Sequence, residues 1–511
     1  MVRLLSKKSA LLLWGLLIAI CHGCTPTEAP STVGAKDQTK QPIKKIITAE
    51  KKLNERLEVK PPADPNIVAI IGGYQIKKEE LENRLIQELN PRYQQSYSRE
   101  AEPINAEIVL KKMISEKAIV IDARKKNYLE DEYTQAVIKR YRDGRLARLL
   151  LVKHVEGKVT VTDEQIEEKL KANPKLDRKR AQAMLIGEQN RKLAAEYYDQ
   201  IYKKSNVKKL KENFPKSIEI HQRLLLKPKK PRKMAFIRND QVRDELTQEE
   251  KNIVLATYDG GKVTLKDWFQ TLCNMSPPSR PKDLNTPEGF ERMLDRALRL
   301  PLYIYEAKSL GLDKDKNLIN QIKEYEDRVL LGKAWNSKIQ EVNEPTTQQI
   351  KAYYDENKEA FITDRNLKID PIWCQDLETA KKVKAKLVSG KDIEKVRQEY
   401  DLNKKGKAYI VRPNSEGMFW EKLWAGEPNE IVGPIKGFYT QGIKWRVIKI
   451  LEKNPGNVKE YSENIGKMVK NDLMNKKQQA LLSKYREELL EKYPYEIYAD
   501  RIKDIDPFNI P

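Results

Sequence analysis

Two stretches of the chain open with the same succession of apolar and polar positions. Residues 67–76 (IVAIIGGYQI) read as an apolar strand, a Gly-Gly turn and a second strand, and a charged helix start, KKEELENRL, follows. Residues 253–269 (IVLATYDGGKVTLKDWF) repeat that plan. The glycine pairs supply the positive φ that a tight turn needs. Downstream, apolar residues fall at helical spacing: Leu110, Ile114 and Ala118 in the first stretch, Leu294, Leu298 and Leu302 at an offset of 184 in the second. At the same offset Asp122-Ala123 matches Glu306-Ala307, and Tyr141 matches Tyr325. Thr162-x-x-Gln165-Ile166 likewise matches Thr346-x-x-Gln349-Ile350, with each threonine placed as a helix N-cap. A gap-free correspondence over about 60 residues establishes an internal repeat.

The register breaks beyond Pro174. The first copy passes into a long helix over 180–211, then Phe214-Pro215 and an extended, strand-like SIEIHQRLLL. The second copy ends in a similar way, with a helix over 464–492, Tyr493-Pro494 and YEIYADRI. About 95 further residues, 363–457, precede that last helix. The pattern predicts one helical module used twice (66–227 and 252–362 with 458–511), a linker at 228–251, and a guest domain in the second copy. Within the guest, Asn366–Trp373 is extended, Glu378–Leu387 and Asp392–Tyr400 are helical, and Ala408–Val411 is a short strand. Met418–Leu423 is helix-like, Gly426–Ile435 turns into a strand, and Trp445–Leu451 is a closing strand. A small antiparallel sheet with helices on it is expected, so the fold class is mainly α with one small α+β domain.

The first 24 residues are a processing segment. Arg3, Lys7 and Lys8 precede an apolar run, Ala10–Ile20, too short to span a bilayer comfortably. Cys21-His22-Gly23-Cys24 follows, and the small residue before Cys24 resembles a bacterial lipoprotein signal. Lipidation at Cys24 is the expected outcome; simple secretion and a retained anchor are the alternatives. Residues 25–65, rich in Thr, Pro, Ser and Lys, read as a flexible tether. The body keeps only Cys273 and Cys374, which either pair in an oxidising compartment or stay as buried free thiols.

Composition adds exclusions. The 511 residues carry only 3 His and 4 Cys, which leaves little for imidazole chemistry, a zinc-dense scaffold or any metal site. No Gly-x-x-x-x-Gly-Lys-Ser/Thr run occurs, so no nucleotide is expected. The net charge is +22, yet the basic run Lys227–Lys233 lacks interleaved aromatics and reads as a solvated linker, without nucleic acid as partner.

The strand–Gly–strand opening, the paired helices, the Thr-started helix and the return helix resemble the helical module of exported foldases of the SurA and PrsA kind. In the guest, ETAKKV, GEPNEIVGPIKG and WRVIKILEK resemble a parvulin-type peptidyl-prolyl isomerase domain. The resemblance implies a chaperone or foldase on the periplasmic side of a bacterial membrane, tethered through Cys24. It would act without a cofactor on unfolded or assembling exported proteins. It also places the family's two histidines at Pro371 and Arg446, and a third position at Asp401, so the catalytic set is degenerate. Met418, Phe419 and Leu423 would keep a proline-binding pocket. Prolyl isomerisation works against an amide barrier of about 18–20 kcal/mol and needs no nucleophile. Loss of both imidazoles is therefore expected to weaken activity more than peptide binding. A structural or assembly subunit of a larger exported complex is the alternative reading.

Overall fold

The computed structural model describes residues 62–91, 104–229, 236–440 and 442–510. Cys24, the leader and nearly all of the tether lie outside the described residues. Strands β1 (Ile67–Ile71) and β2 (Tyr74–Lys77) form a hairpin, and Gly72 and Gly73 adopt the φ of +50° and +83° that its turn requires. Helix α1 (Lys78–Leu89) buries Leu81, Leu85 and Leu89 along one i, i+4 line. There follow α2 (Ala106–Lys125), α3 (Glu132–Val155), α4 (Asp163–Ala172), α5 (Arg178–Lys204), β3 (Lys208–Lys209) and α6 (Phe214–Leu226). Short helices α7 (Asn239–Glu245) and α8 (Gln248–Lys251) lead to a second hairpin, β4 (Val254–Tyr258) and β5 (Gly261–Thr264). Helices α9 (Leu265–Cys273), α10 (Pro287–Ser309), α11 (Lys316–Ile339) and α12 (Thr347–Glu356) complete the second front half.

The repeat is visible element by element. Helices α3 and α11, and α4 and α12, begin and end at the same offset of 184. Thr162 and Thr346 each accept from the third residue of their helix while Gln165 and Gln349 answer the threonine N–H, a reciprocal cap. Tyr141 and Tyr325, which share one position in the two copies, stack with centroids 3.8 Å apart and planes at 5°.

The segment 217–226 is helical rather than extended. Ile218 and Ile220 alternate as in a strand, but Phe214, Ser217, Ile218, His221 and Leu224 are all buried at spacings of three and four. Pro215 in the first turn costs no hydrogen bond there.

The two copies do not fold as two consecutive modules. Among the described residues, one compact unit lies within 132–326 and the other joins those from 62 to 131 with those from 327 onward, so neither boundary falls in the expected linker at 228–251. Each unit combines the front of one copy with the back of the other. The β1–β2 hairpin takes its third strand from the end of the second copy, β12 (Tyr495–Ile497), with Ala69 opposite Ile497. The β4–β5 hairpin takes its third strand from the end of the first copy, with Lys208 opposite Thr257. The return helices follow: α5 packs with α3 and α10, and α17 (Glu463–Lys492) packs with α2 and α12.

Two buried carboxylates at equivalent positions mark this exchange. Asp122 of the first copy accepts from Lys492 Nζ (2.7 Å) and the Tyr493 hydroxyl (3.0 Å), both from the second copy. Glu306 of the second copy accepts from the Tyr197 hydroxyl (3.1 Å) and pairs with Lys204 (2.5 Å), both from the first. Lys204 and Lys492 are the last residues of α5 and α17. Burial opposes ionisation of Asp122, but Lys126, Lys492 and the Tyr493 hydroxyl outweigh it and hold the carboxyl down at about 2.

The guest enters and leaves through a two-stranded ladder, β6 (Ile362–Thr363) against β11 (Asn457–Val458). Inside, β7 (Asn366–Cys374), β8 (Tyr409–Val411), β9 (Ile431–Tyr439) and β10 (Gly442–Asn454) form an antiparallel sheet in the order β8-β7-β10-β9. Helices α13 (Leu377–Val388) and α14 (Ile393–Tyr400) seal one face, over Ile372, Cys374 and Val447. The opposite face carries Leu367, Ile369, Ile448 and Ile450 under Trp420 and Leu423; those two belong to α16 (Trp420–Trp424), which follows the short turn α15 (Pro413–Glu416). The fold is thus mainly α with a small α+β domain, as expected. Among the described residues no helix is long and apolar enough to cross a membrane.

Candidate functional site

The guest domain carries a cavity of about 270 Å³, lined by Pro91, Trp373, Tyr409, Ile410, Val411, Ser415, Glu416, Phe438 and Arg446. Strand pairing sets Arg446 directly opposite Trp373, so both side chains leave the same face of the sheet. The guanidinium lies 4.9 Å from the Trp373 ring centroid. Its Nη2 donates to Glu416 Oε2 at 2.6 Å, and Arg446 and Glu416 are only 1% and 7% exposed. A charge this deep is tolerated because it is paired. Arg446 Nε is buried without a hydrogen-bond partner. Gly437 makes room for it: a Cβ there would sit 2.4 Å from Nε.

Tyr409 completes the rim. Burial raises its phenol above the usual range; Glu416 pushes the same way and Arg446 opposes them. Ser415 is engaged in the cap of α15, accepting from Arg412 N (2.8 Å) and donating to Arg412 O (2.9 Å).

The three positions assigned to catalysis separate. Arg446 lines the cavity. Pro371 is buried on β7 opposite Ile448, where β8, paired only to Leu367–Ile369, no longer needs its missing N–H. Asp401 serves a second buried cluster. Arg397 Nη1 donates to Asp401 Oδ2 (2.9 Å) and to the Pro371 carbonyl (2.8 Å), and Nη2 bonds Asp370. Asp401 Oδ1 also accepts from Trp373 N (3.2 Å) and Asn403 N (2.8 Å). Burial raises the Asp401 carboxyl while these donors pull it back. The cluster ties α14 to β7, the strand that presents Trp373. Burial pushes the neighbouring Cys374 thiol up to about 12, with the Asp401 and Asp376 charges adding, so it stays an inert thiol. No disulfide joins Cys273 to Cys374.

The residues expected to bind peptide do not line this cavity. Leu423 is wholly buried under the sheet, Phe419 is buried against Phe508, and Met418 is half-buried. Trp373, Tyr409, Glu416 and Phe438 were not singled out. The one available signal was Arg446 itself: an arginine inside the apolar WRVIKIL strand demands a buried carboxylate. Pro91 had no signal at all. The two histidines outside the leader lie outside the guest. His154 stacks on Tyr197 at 3.7 Å, and burial, with Arg280 adding, pushes His221 down to about 4.

No protein-family model matches the chain, and no curated protein matches it. Among solved structures the chain is similar to SurA-like chaperones and PrsA foldases. One match is to a SurA-like chaperone of Campylobacter jejuni, at 15% identity and a TM-score of 0.24, covering 47% of this chain and 97% of that one. The foldase PrsA of Streptococcus pneumoniae matches at 16% identity and a TM-score of 0.23, covering 33% and 64%. PrsA of Bacillus subtilis matches at 19% identity and a TM-score of 0.17, covering 51% and 99%.

Proposed function

We propose that this chain is an exported chaperone of the foldase type, tethered to a bacterial membrane through Cys24, with prolyl isomerase activity reduced or lost. Its clients are unfolded or assembling exported polypeptides. The observation that carries the reading is the guest-domain cavity. It offers Trp373, Tyr409 and Phe438 to an apolar segment, while its one cation is locked to Glu416. That arrangement favours binding over bond rotation. A twisted prolyl amide is stabilised by donors aimed at it, and Arg446 spends Nη2 on Glu416 while Nε faces Gly437. Burial of apolar client surface at about 25 cal/mol per Å² supplies affinity without sequence specificity, and the net charge, +19 once the leader with Arg3, Lys7 and Lys8 is removed, draws acidic clients.

The test uses the mature chain and a reduced, unfolded exported protein followed by light scattering. Aggregation is expected to fall at equimolar chaperone; no effect at several-fold excess refutes the holding function. A proline tetrapeptide assay run beside it should show cis/trans exchange near the uncatalysed rate. Retention of one fixed partner, with no client binding, would turn the reading to an assembly subunit.

A further inference from the structure

The guest sheet has two edges, and they differ. β9 carries Pro434, which has no N–H to give, and its pairing with β10 shifts register between Arg446 and Ile448. Both features keep an edge from recruiting a further strand. β8 has neither. Tyr409, Ile410 and Val411 pair with Ile369, Lys368 and Leu367 in unbroken register, and among the described residues β7 is their one strand partner. In an antiparallel ladder alternate residues turn N–H and C=O toward the partner, so every other residue of β8 presents both groups to its open side. Tyr409 and Ile410 are 42% and 53% exposed, an apolar pair left in water beside the Trp373–Arg446 cavity that both help to line.

The charge around this edge is of one sign. Lys404, Lys405 and Lys407 precede β8 and Arg412 follows it; all are exposed, and none has an ion-pair partner among the described residues. The carboxylates nearest in sequence are already committed: Glu399 to Lys386, Asp401 to Arg397 and Glu416 to Arg446. Two β8 edges laid side by side would set like charges against each other, so a second copy of this chain is a poor occupant. The same cations attract a strand of opposite charge.

We propose that the open edge of β8 takes an extended client segment as an added strand, and that the segment is an apolar triplet flanked by Asp or Glu. Main-chain hydrogen bonds to β8 supply affinity, alternate side chains rest on Tyr409 and Ile410, and the flanking carboxylates meet the Lys404–Lys407 run and Arg412. The inference rests on the proposed client binding only for the source of the segment. Aggregation suppression reads the whole chain, whereas a peptide titration reads this edge alone.

The experiment is an anisotropy titration of the mature full-length chain with fluorescein-labelled Glu-Asp-Val-Tyr-Val-Asp-Glu amide. Binding is expected, with the counterpart Lys-Lys-Val-Tyr-Val-Lys-Lys weaker by about tenfold or more. Two backbone N-methylated forms decide the mode, one methylated at the tyrosine and one at both valines. Only one of these sets of amides faces β8, so one form is expected to lose binding and the other to keep it. Lys405→Glu combined with Lys407→Glu, both at exposed positions, should weaken the acidic peptide about tenfold and favour the lysine-flanked one. No binding of the acidic peptide, equal behaviour of the two methylated forms, or no response to the charge reversal overturns the proposal. So does equal binding of Glu-Asp-Gly-Gly-Gly-Asp-Glu, which would leave the cations as a patch for any polyanion.

Discussion

Arg446 stands where the resemblance places an imidazole, and its consequences are those of a permanent charge. A histidine at that point can shed its proton; a guanidinium cannot, so it has to be neutralised by a neighbour. Glu416 does this at 2.6 Å. Glu416→Gln leaves the charge uncompensated in the sheet and is expected to destabilise the guest domain by about 3–5 kcal/mol in urea unfolding. Glu416→Gln combined with Arg446→Met should recover most of that loss, because the charge leaves with its partner. Equal destabilisation by the single and double variants would refute the account. His221 shows the opposite case. It packs against Trp268 and Phe269 and is pushed down to about 4, so the folded state holds it neutral. Its contribution is complete above the ordinary imidazole range near 6.5 and is lost as pH falls from there through 4. Thermal midpoints should decline over that window, and His221→Leu should flatten the decline. None of the cavity's aromatics was legible beforehand, because residues 373, 409 and 438 meet only through tertiary packing. Arg446 was legible by position but not by role.

At the level of elements, capping chemistry was the most readable part of the sequence. Thr-x-x-Gln fixes the starts of α4 and α12 through contacts within four residues, and both helices begin where the pattern placed them. The misassigned α6 shows the limit: Ile218 and Ile220 satisfy a strand period and a helix period alike, and the packing partners decide. The return helices α5 and α17 were expected at nearly the observed places, but their partners were not, because both copies offer the same stripe to either helix. The Asp122 cluster reports that choice. Asp122→Ala strips a carboxylate from the Tyr485 and Tyr493 hydroxyls and from Lys492, and is expected to lower stability by about 2–4 kcal/mol. Lys492→Ala, at an exposed side chain, should cost well under that. Chemical denaturation of the two variants side by side checks the ranking.

For the whole molecule, the repeat and its guest were visible in the sequence, whereas the crossing of halves was not. A period tells that two surfaces are alike; it does not tell which of two identical docking faces a helix takes. The crossing makes a direct demand. Residues 62–229 and 236–510, expressed as separate chains, are expected to associate when mixed, since each compact unit draws strands and helices from both. Size-exclusion chromatography should show one co-eluting species. Two independently folded, non-interacting fragments would refute the exchange.

The pairing of β1 with β12 also dictates when the protein becomes complete. Synthesis delivers the chain from its amino end, and residues 132–326 hold the described elements of their unit once Glu326 has arrived. Ile67–Ile71, among the first of the described residues to emerge, must wait for Tyr495–Ile497, almost the last. During that interval an apolar strand edge stands open. A chain assembled in this order passes through the state, an unpaired edge awaiting its partner strand, from which aggregation starts.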